Sequence, residues 1–305
     1  MQGRTTVFVQ KSHRIPWWMF IPGGLVMTVF IVWPILVSLY TSLTNLNVFF
    51  LANWLTAPFV GLGNYGQIFN PATPVGNSFW LSLGEALAFT LSAIILGLPL
   101  GVVAALAMNR PLRGRAGFRI LFLMPYAMPI FVSGLVWRFM LLQRIGLVDR
   151  ILGLIYPPWG HVFWLIGPNA LVSLIAANVW SSWPFFYLFA LSALQTVPSE
   201  VYDAADIDGS SGSKTFFAVT LPLIARSLVI AGTLSFIYHF NNFTTPYVLF
   251  GSTPPPSADI LPLNIYLFGF SQMRFGAATA MSILSMIILA APMAFYLRAM
   301  RVREL

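Results

Sequence analysis

Long apolar runs separated by short polar connectors dominate this sequence of 305 residues. Six runs are long enough to cross a bilayer as a helix, which takes about 20 mostly apolar residues. The first is longer than the apolar part of a cleaved signal peptide, about 7 to 15 residues, so it is expected to remain as an anchor. The pattern predicts an all-α integral membrane protein with six transmembrane helices, near residues 16–42, 79–108, 119–141, 168–195, 223–250 and 275–297.

The connectors and the composition limit what else the chain can contain. No connector is long enough for a soluble domain, so residues 1–305 are predicted to form a single transmembrane domain. Hydrophobic residues make up 58% of the chain and charged residues only 8%. The chain has no cysteine, and His13, His161 and His239 are far apart in sequence. We therefore predict no catalytic site and no metal site.

The basic residues indicate orientation rather than a nucleic-acid interface. The formal net charge is +8, but Lys and Arg are divided among short connectors and form no patch. Twelve of the 16 lie at the amino terminus, in the second and fourth connectors or in the tail. Because cytoplasmic loops carry the excess of Lys and Arg, both termini are predicted to be cytoplasmic, including an N-terminal segment of residues 1–15. The basic residues on the other side are Arg138, Arg144, Arg150 and Arg274.

The fourth connector, about residues 197–222, carries the most specific signal. It predicts a short helix after Pro198, with Ser199 as its cap and acidic residues near its amino end. Gly209 permits the left-handed turn that ends such a helix, and a second amphipathic piece leads into the fifth span at Pro222. An ordinary solvated helix at the membrane surface is the alternative interpretation of this composition.

The same connector resembles the cytoplasmic EAA loop of ABC importer permeases. In that loop Glu-Ala-Ala is followed after three residues by Gly, and after nine more by a branched apolar residue, one spacer and Leu-Pro. The matching frame here is Asp203-Ala204-Ala205, Gly209, Val219 and Leu221-Pro222, with Asp203 where the family usually has Glu. Weaker resemblances follow in the expected order at Phe59–Tyr65, Phe79-Trp80 through Phe89-Thr90, Met124-Pro125 and Asn241-Asn242-Phe243. The wider string around Gly209 is similar to the carbohydrate-uptake, maltose-transporter branch.

The resemblance implies a division of labour within the type I permease fold. The chain is expected to form half of a translocation pathway for a sugar or oligosaccharide with a second permease subunit, in a bacterial or archaeal cell membrane. A cytoplasmic ATPase dimer would bind ATP and Mg²⁺, so this chain needs no cofactor of its own, and an extracytoplasmic solute-binding protein would deliver the substrate. The residues implied for ATPase coupling through a coupling helix are Tyr202, Asp203, Ala204, Ala205, Asp208 and Gly209.

One motif in this loop could be mistaken for a nucleotide site. Gly209–Thr215 looks like a phosphate-binding loop, but Ser213 stands where the motif needs a glycine before Lys214. A helix rather than a strand is also predicted before it. The sequence therefore predicts that the chain has no ATPase site and is not an enzyme.

Polar and aromatic side chains cluster in the outer half of the fifth span. Asn241 lies fifteen residues after Arg226, which is about 22 Å along a helix and beyond the midplane of a hydrocarbon core about 30 Å thick. Amides and hydroxyls can bind sugar hydroxyls as donors and acceptors, and aromatic faces pack on sugar rings. In the maltose-type permeases that the chain resembles, this stretch lines the sugar site. The predicted substrate-binding residues are Tyr238, His239, Asn241, Asn242, Phe243, Thr245 and Tyr247.

Several alternatives accompany this interpretation. Polar residues in a span can simply cross-link helices, and a lone histidine is more often a packing residue than a ligand. An ion-coupled secondary transporter would need paired halves and membrane-buried carboxylates, and a membrane enzyme would need converging catalytic groups. Neither pattern is visible. Within the importer class, a glycerol phosphate ester or another polyol is the alternative substrate, although the fifth-span cluster has no arginine to bind a phosphate.

Overall fold

The computed structural model describes residues 17–301, and this part of the chain is almost entirely helical. Its one β contact is an isolated antiparallel bridge between Thr44 and Phe59. The predicted cytoplasmic segment 1–15 lies outside the described residues. In chain order the helices are α1 (Trp17–Ser42), α2 (Gly63–Phe69), α3 (Pro74–Asn109), α4 (Arg115–Ala127), α5 (Ile130–Met140), α6 (Leu147–Ile155), α7 (Asn169–Leu194), α8 (Ser199–Ile207), α9 (Gly212–Phe240), α10 (Thr244–Phe250), α11 (Leu261–Ser271) and α12 (Phe275–Arg301).

Within the described residues, α1, α3, α7, α9 and the Phe275–Ala294 part of α12 are each long and apolar enough to cross a bilayer. Helices α4 and α5 meet the same test only as a pair. Counted in this way, the structure confirms the predicted all-α fold with six spans.

The third span is not the continuous helix 119–141 that the sequence predicts. Its two halves, α4 and α5, meet at an angle of 91°. Met128, which follows α4, has extended dihedral angles (φ −72°, ψ 134°), and Pro129 stands immediately before α5. A proline disfavours the helical conformation of the residue before it and has no backbone N–H to continue the helix. The span therefore breaks at this Met-Pro pair.

The fifth span is shifted towards the amino terminus from the predicted range 223–250. Helix α9 already begins at Gly212 and ends at Phe240, and α10 is a separate helix beyond the break. The predicted second amphipathic piece is thus part of the span itself. The backbone accommodates Pro222 after a π-helical turn, Phe216–Thr220, in which the N–H of Leu221 bonds to the carbonyl of Phe216 five residues back.

A smaller prediction beside this span is also wrong. Ser199 is not the cap of α8: it is the first helical residue, Pro198 occupies the cap position, and no side chain bonds to the cap amides.

Close packing of α3 against α7 forms the centre of the bundle. A Cβ atom on Gly101 of α3 would lie 2.6 Å from the Cβ of Phe186 and from the backbone nitrogen of Tyr187 in α7. Only glycine allows the two helices to come this close. Helix α9 packs against both of them, and α1 packs on α12 through its carboxyl-terminal half. The first half of α1, from Trp17 to Val32, is exposed on this chain.

A buried polar contact ties the connector after α10 to α11 and to the start of α3. The Asn264 amide donates to Asp259 Oδ2 (2.6 Å) and to Ser78 Oγ (2.8 Å). Burial raises the pKa of the Asp259 carboxyl to about 6, against the opposing effect of the Asn264 hydrogen bond. This contact anchors α11, which is too short to be a span, against the membrane bundle.

Candidate functional site

A cavity of about 570 Å³ lies between the broken third span, α7 and the end of the fifth span. Its wall combines aromatic rings with hydroxyl, amide and imidazole groups, and no Asp, Glu, Lys or Arg is among the lining residues. The residues that line it are Pro125, Tyr126, Met128, Ile130, Ser133, Ala177, Ser181, Ser182, Phe185, Leu234, Ser235, Tyr238, His239, Asn242 and Thr245.

Two helix breaks shape this cavity. Pro125 and Met128 line it beside the bend between α4 and α5, and Asn242 lines it in the break between α9 and α10. Backbone that is not helical is tolerated at membrane depth only where it is buried in protein or lines a cavity. Broken helices at a central site are also typical of membrane transport proteins. The position of the cavity therefore follows from the two breaks.

The structure separates the predicted substrate-binding residues into two groups. Tyr238, His239, Asn242 and Thr245 line the cavity. Asn241 does not: it is exposed, and its amide donates back to the carbonyl of Ile237 at 2.8 Å.

Phe243 and Tyr247 are also absent from the cavity lining. They stack on each other with ring centroids 4.9 Å apart, and Phe243 packs on Tyr266 of α11 at 4.8 Å. Because the helix ends at Phe240, side chains of neighbouring residues between α9 and α10 face different directions. The sequence could not resolve this.

Asn242 and Thr245 bind each other as well as lining the cavity. The Asn242 amide donates to Thr245 Oγ1 at 3.0 Å, and the backbone N–H of Thr245 donates to Asn242 Oδ1 at 3.1 Å. This exchange satisfies an amide in the first turn of α10, as a helix cap does. Asn242 therefore fixes the direction in which the chain continues from the cavity wall.

Two buried polar atoms in the wall have no partner among the described residues. They are Ser235 Oγ, in a side chain that is only 3% exposed, and His239 Nδ1. A buried polar group without a hydrogen bond is costly, so such groups are rare unless they serve a ligand or water. Both belong to residues that line the cavity. They are hydrogen-bonding groups of cavity-lining residues that the protein itself leaves unpaired, although neither atom is open to solvent in this conformation.

Several residues on the other helices line the cavity but were not predicted from the sequence. These are mainly serines, Ser133 of α5 and Ser181 and Ser182 of α7, together with Tyr126 and Phe185. A serine in an apolar span often bonds to its own helix backbone, as Ser181 does with the carbonyl of Asn178 at 3.0 Å. The Ser181-Ser182 pair was a possible signal, but a serine that faces a cavity looks the same in sequence as one that faces another helix.

The loop with the EAA resemblance lies at the opposite end of α7 from α6. Helix α8 presents Asp203, Ala204 and Asp208 on its surface together with the apolar side chain of Ile207, which is 87% exposed. Ala205 is buried and Tyr202 is half-buried, so they hold the helix against the rest of the chain. Of the residues implied for coupling, these two are therefore the least accessible to another protein.

Gly209 ends α8 in the left-handed conformation that the sequence predicts. Its φ is +67°, its N–H bonds to the carbonyl of Asp206 at 3.1 Å, and the N–H of Ser210 bonds to the carbonyl of Ala205 at 3.0 Å. This pair of bonds is a Schellman motif, which depends on a residue that tolerates positive φ. Nothing lies within 4 Å of the position that a Cβ atom on Gly209 would occupy. The glycine is thus required by the backbone and not by crowding.

Taken together, these features define a multi-pass membrane transport protein: a helical bundle with broken spans around an uncharged polar cavity and a helix presented at one end. The family described as binding-protein-dependent transport system inner membrane component matches residues 97–302. The chain belongs to this family, whose members are the permease subunits of ABC importers. The family therefore identifies the chain as an importer permease and not as an ion-coupled secondary transporter.

Similar proteins support this placement over nearly the whole chain. A trehalose/maltose transport system permease protein, MalF of Thermococcus litoralis, is 31% identical over 304 residues, which is 98% of both chains. An sn-glycerol-3-phosphate transport system permease protein, UgpA of Agrobacterium fabrum, is 28% identical over 299 residues, 97% of both chains. Among solved structures, a chain of a bacterial ABC transporter involved in import of the acidic polysaccharide alginate matches with a TM-score of 0.77, 19% identity and 94% of both chains covered. This last likeness supports the fold.

Proposed function

We propose that this permease forms half of the pathway through which an ATP-driven importer moves a neutral sugar or oligosaccharide. The observation that carries the proposal is the uncharged cavity, in which Ser235 Oγ and His239 Nδ1 are buried without a partner. A sugar hydroxyl can donate to or accept from either group. Tyr126, Tyr238 and Phe185 supply aromatic surface for the apolar faces of a sugar ring.

The alternative substrate is a glycerol phosphate ester, which the relative from Agrobacterium fabrum suggests by its name. A phosphate group is bound most strongly by arginine forks or lysine. Since no Arg or Lys is among the lining residues, this cavity offers no cationic side chain to offset the cost of taking a phosphate out of water. The trehalose/maltose relative, in contrast, is named for neutral sugars. These arguments favour a neutral sugar.

The remaining components of the importer are proposed from the same family. A second permease subunit completes the pathway, and an extracytoplasmic solute-binding protein delivers the sugar, as in the solved alginate transporter with its ligand-bound periplasmic protein. A cytoplasmic ATPase dimer binds ATP and Mg²⁺ and receives α8, while this single permease domain holds no cofactor. Both termini then lie in the cytoplasm of the bacterial or archaeal cell.

The position of α8 suggests how ATP hydrolysis by the partner ATPase changes the shape of the cavity. Four residues separate α8 from the end of α7 and four separate it from the start of α9. Both of these helices line the cavity, α7 through Ser181 and Ser182 and α9 through Ser235 and His239. A displacement of α8 by the ATPase is therefore transmitted along two helices, α7 and α9, to the wall of the cavity. In this proposal the chain contributes hydrogen bonds to the sugar and movement of its helices.

Uptake by the complete importer tests the proposed substrate. Proteoliposomes containing this chain, its partner permease and its ATPase should take up a neutral mono- or oligosaccharide presented by the binding protein, in a manner that depends on internal ATP. Glycerol 3-phosphate, tested over the same concentrations, should neither be transported nor compete. ATP-driven uptake of the phosphate ester without any neutral sugar would reject the sugar assignment and leave the permease assignment intact.

A further inference from the structure

Helix α6 has an apolar face with no partner among the described residues. It lies in the connector between α5 and α7, at the end of the bundle opposite to α8. Its nine residues span about 14 Å, which is too short to cross a bilayer. Leu154 is 88% exposed and Ile155 is 70% exposed, and Leu147 and Ile151 are each half-exposed at 50%. Such a concentration of large apolar side chains on a short connector helix requires an apolar partner.

The four exposed side chains lie on one side of the helix. At about 100° per residue, Leu147, Ile151, Leu154 and Ile155 share an arc of roughly 100°. The opposite side is packed: Asp149 is buried, and its carboxylate accepts hydrogen bonds from the backbone N–H of Arg144 (2.7 Å) and from Trp164 Nε1.

The backbone on that packed side is equally well covered. Gly153 of α6 lies against Gly160 in the turn Pro157–His161, where a Cβ atom on Gly153 would be 3.1 Å from the Gly160 Cα. The protein thus holds α6 by its polar side and presents its apolar side outward.

Charge around the apolar side favours one kind of partner. Arg144 and Arg150 are both exposed, while the single acidic residue of this connector, Asp149, is buried. At the carboxyl end of α6, Tyr156 and Trp159 are exposed and pack edge-to-face with centroids 5.4 Å apart. Arginine beside an apolar stripe, with tyrosine and tryptophan at its end, is the pattern of a helix that lies in the membrane interface.

We infer that α6 lies flat on the outer surface of the bilayer, with its apolar face among the lipid chains and Arg144 and Arg150 at anionic headgroups. The helix begins seven residues after the end of α5, so it cannot move far from the membrane surface. A helix of this kind inserts about 5 to 10 Å below the headgroups. In this position α6 holds the outer ends of α5 and α7, and so one edge of the cavity, at a fixed height in the membrane.

Spin labelling tests this inference directly because the chain has no native cysteine. Leu154→Cys and, separately, Ile151→Cys are labelled with a nitroxide in the assembled importer, without its binding protein, in lipid nanodiscs. His161→Cys, an exposed position in the turn behind α6, is the matched control. Collisions with oxygen, which concentrates in lipid, are compared with collisions with a water-soluble nickel chelate.

The oxygen-to-nickel ratio should be several-fold higher at positions 154 and 151 than at 161. It should rise further when phosphatidylglycerol is added to phosphatidylcholine nanodiscs, and Arg150→Gln should remove that rise. High nickel collision rates at 154 and 151 would show that the face is in water, and low rates with both reagents would show a protein partner. Either result overturns the inference. A ratio that does not respond to phosphatidylglycerol rejects the role of the arginines. None of these readings depends on which substrate is transported.

Discussion

Replacement of Gly209 by valine is expected to reduce transport by at least about tenfold while the spans remain inserted. The positive φ of +67° at this position costs an L-amino acid about 1–2 kcal/mol, and a β-branched side chain more. That cost is relieved only if the backbone turns differently, which breaks the bonds from Gly209 and Ser210 to the end of α8. The surface formed by Asp203, Ala204 and Ile207, which we propose contacts the ATPase, then changes its position.

The matched control for this variant is Gly212→Val in the same loop. Gly212 also has open space where a Cβ atom would lie, but its φ is not in the left-handed region, and it begins α9. We expect Gly212→Val to transport at close to the wild-type rate. Uptake and ATP hydrolysis are measured in proteoliposomes and normalised to assembled complex. Wild-type uptake by Gly209→Val would rule out a coupling role for this turn.

Asn242→Ala is expected to lower sugar uptake per assembled complex by roughly five- to a hundredfold. The loss of a hydrogen-bonding group that leaves a substrate hydroxyl unpaired costs about 1–3 kcal/mol, and this free energy converts to a rate by the usual exponential relation. The variant also removes the exchange with Thr245 that fixes the start of α10 beside the cavity. Both effects change the wall of the cavity that we propose binds the sugar.

Asn241→Ala provides the control, because the two asparagines are adjacent and chemically identical. Asn241 is exposed, and within residues 17–301 its side chain bonds to its own helix at Ile237, so its loss should change uptake per complex little. Thermal stability of the complex is measured in parallel. If Asn242 were only a helix cap, its variant would melt earlier but transport normally per complex, and this outcome would remove Asn242 from the site.

The spans could be predicted from the sequence because a run of about 20 apolar residues has few alternatives to a membrane helix. The break in the third span could not be predicted in this way. Prolines at 99, 125, 184 and 292 all stay inside helices of the bundle. Pro129, in contrast, follows the end of helix α4, because Met128 before it adopts an extended conformation. Neighbouring helices can satisfy the groups that a proline frees in a membrane, so tertiary contacts decide which prolines break a span.

The turn after α8 could be predicted from the sequence, whereas the shape of the cavity could not. The turn at Gly209 depends on local backbone geometry, so the glycine alone indicated it correctly. The cavity depends on where α9 ends and on the bend between α4 and α5, and neither is a local property. Of the residues that the sequence predicts for substrate binding, Tyr238, His239, Asn242 and Thr245 line the cavity, whereas Asn241, Phe243 and Tyr247 do not. The serines of α5 and α7 that line it were not predicted.

The most direct test of the proposed pathway is a cryo-electron microscopy structure of the assembled importer, trapped while a sugar is inside the membrane. We expect sugar density in the cavity between the bent third span, α7 and α9. Its hydroxyls should lie about 2.7–3.2 Å from Ser235 Oγ and His239 Nδ1. A sugar bound elsewhere in the membrane, with Ser235 and His239 paired to other protein groups, would contradict the account.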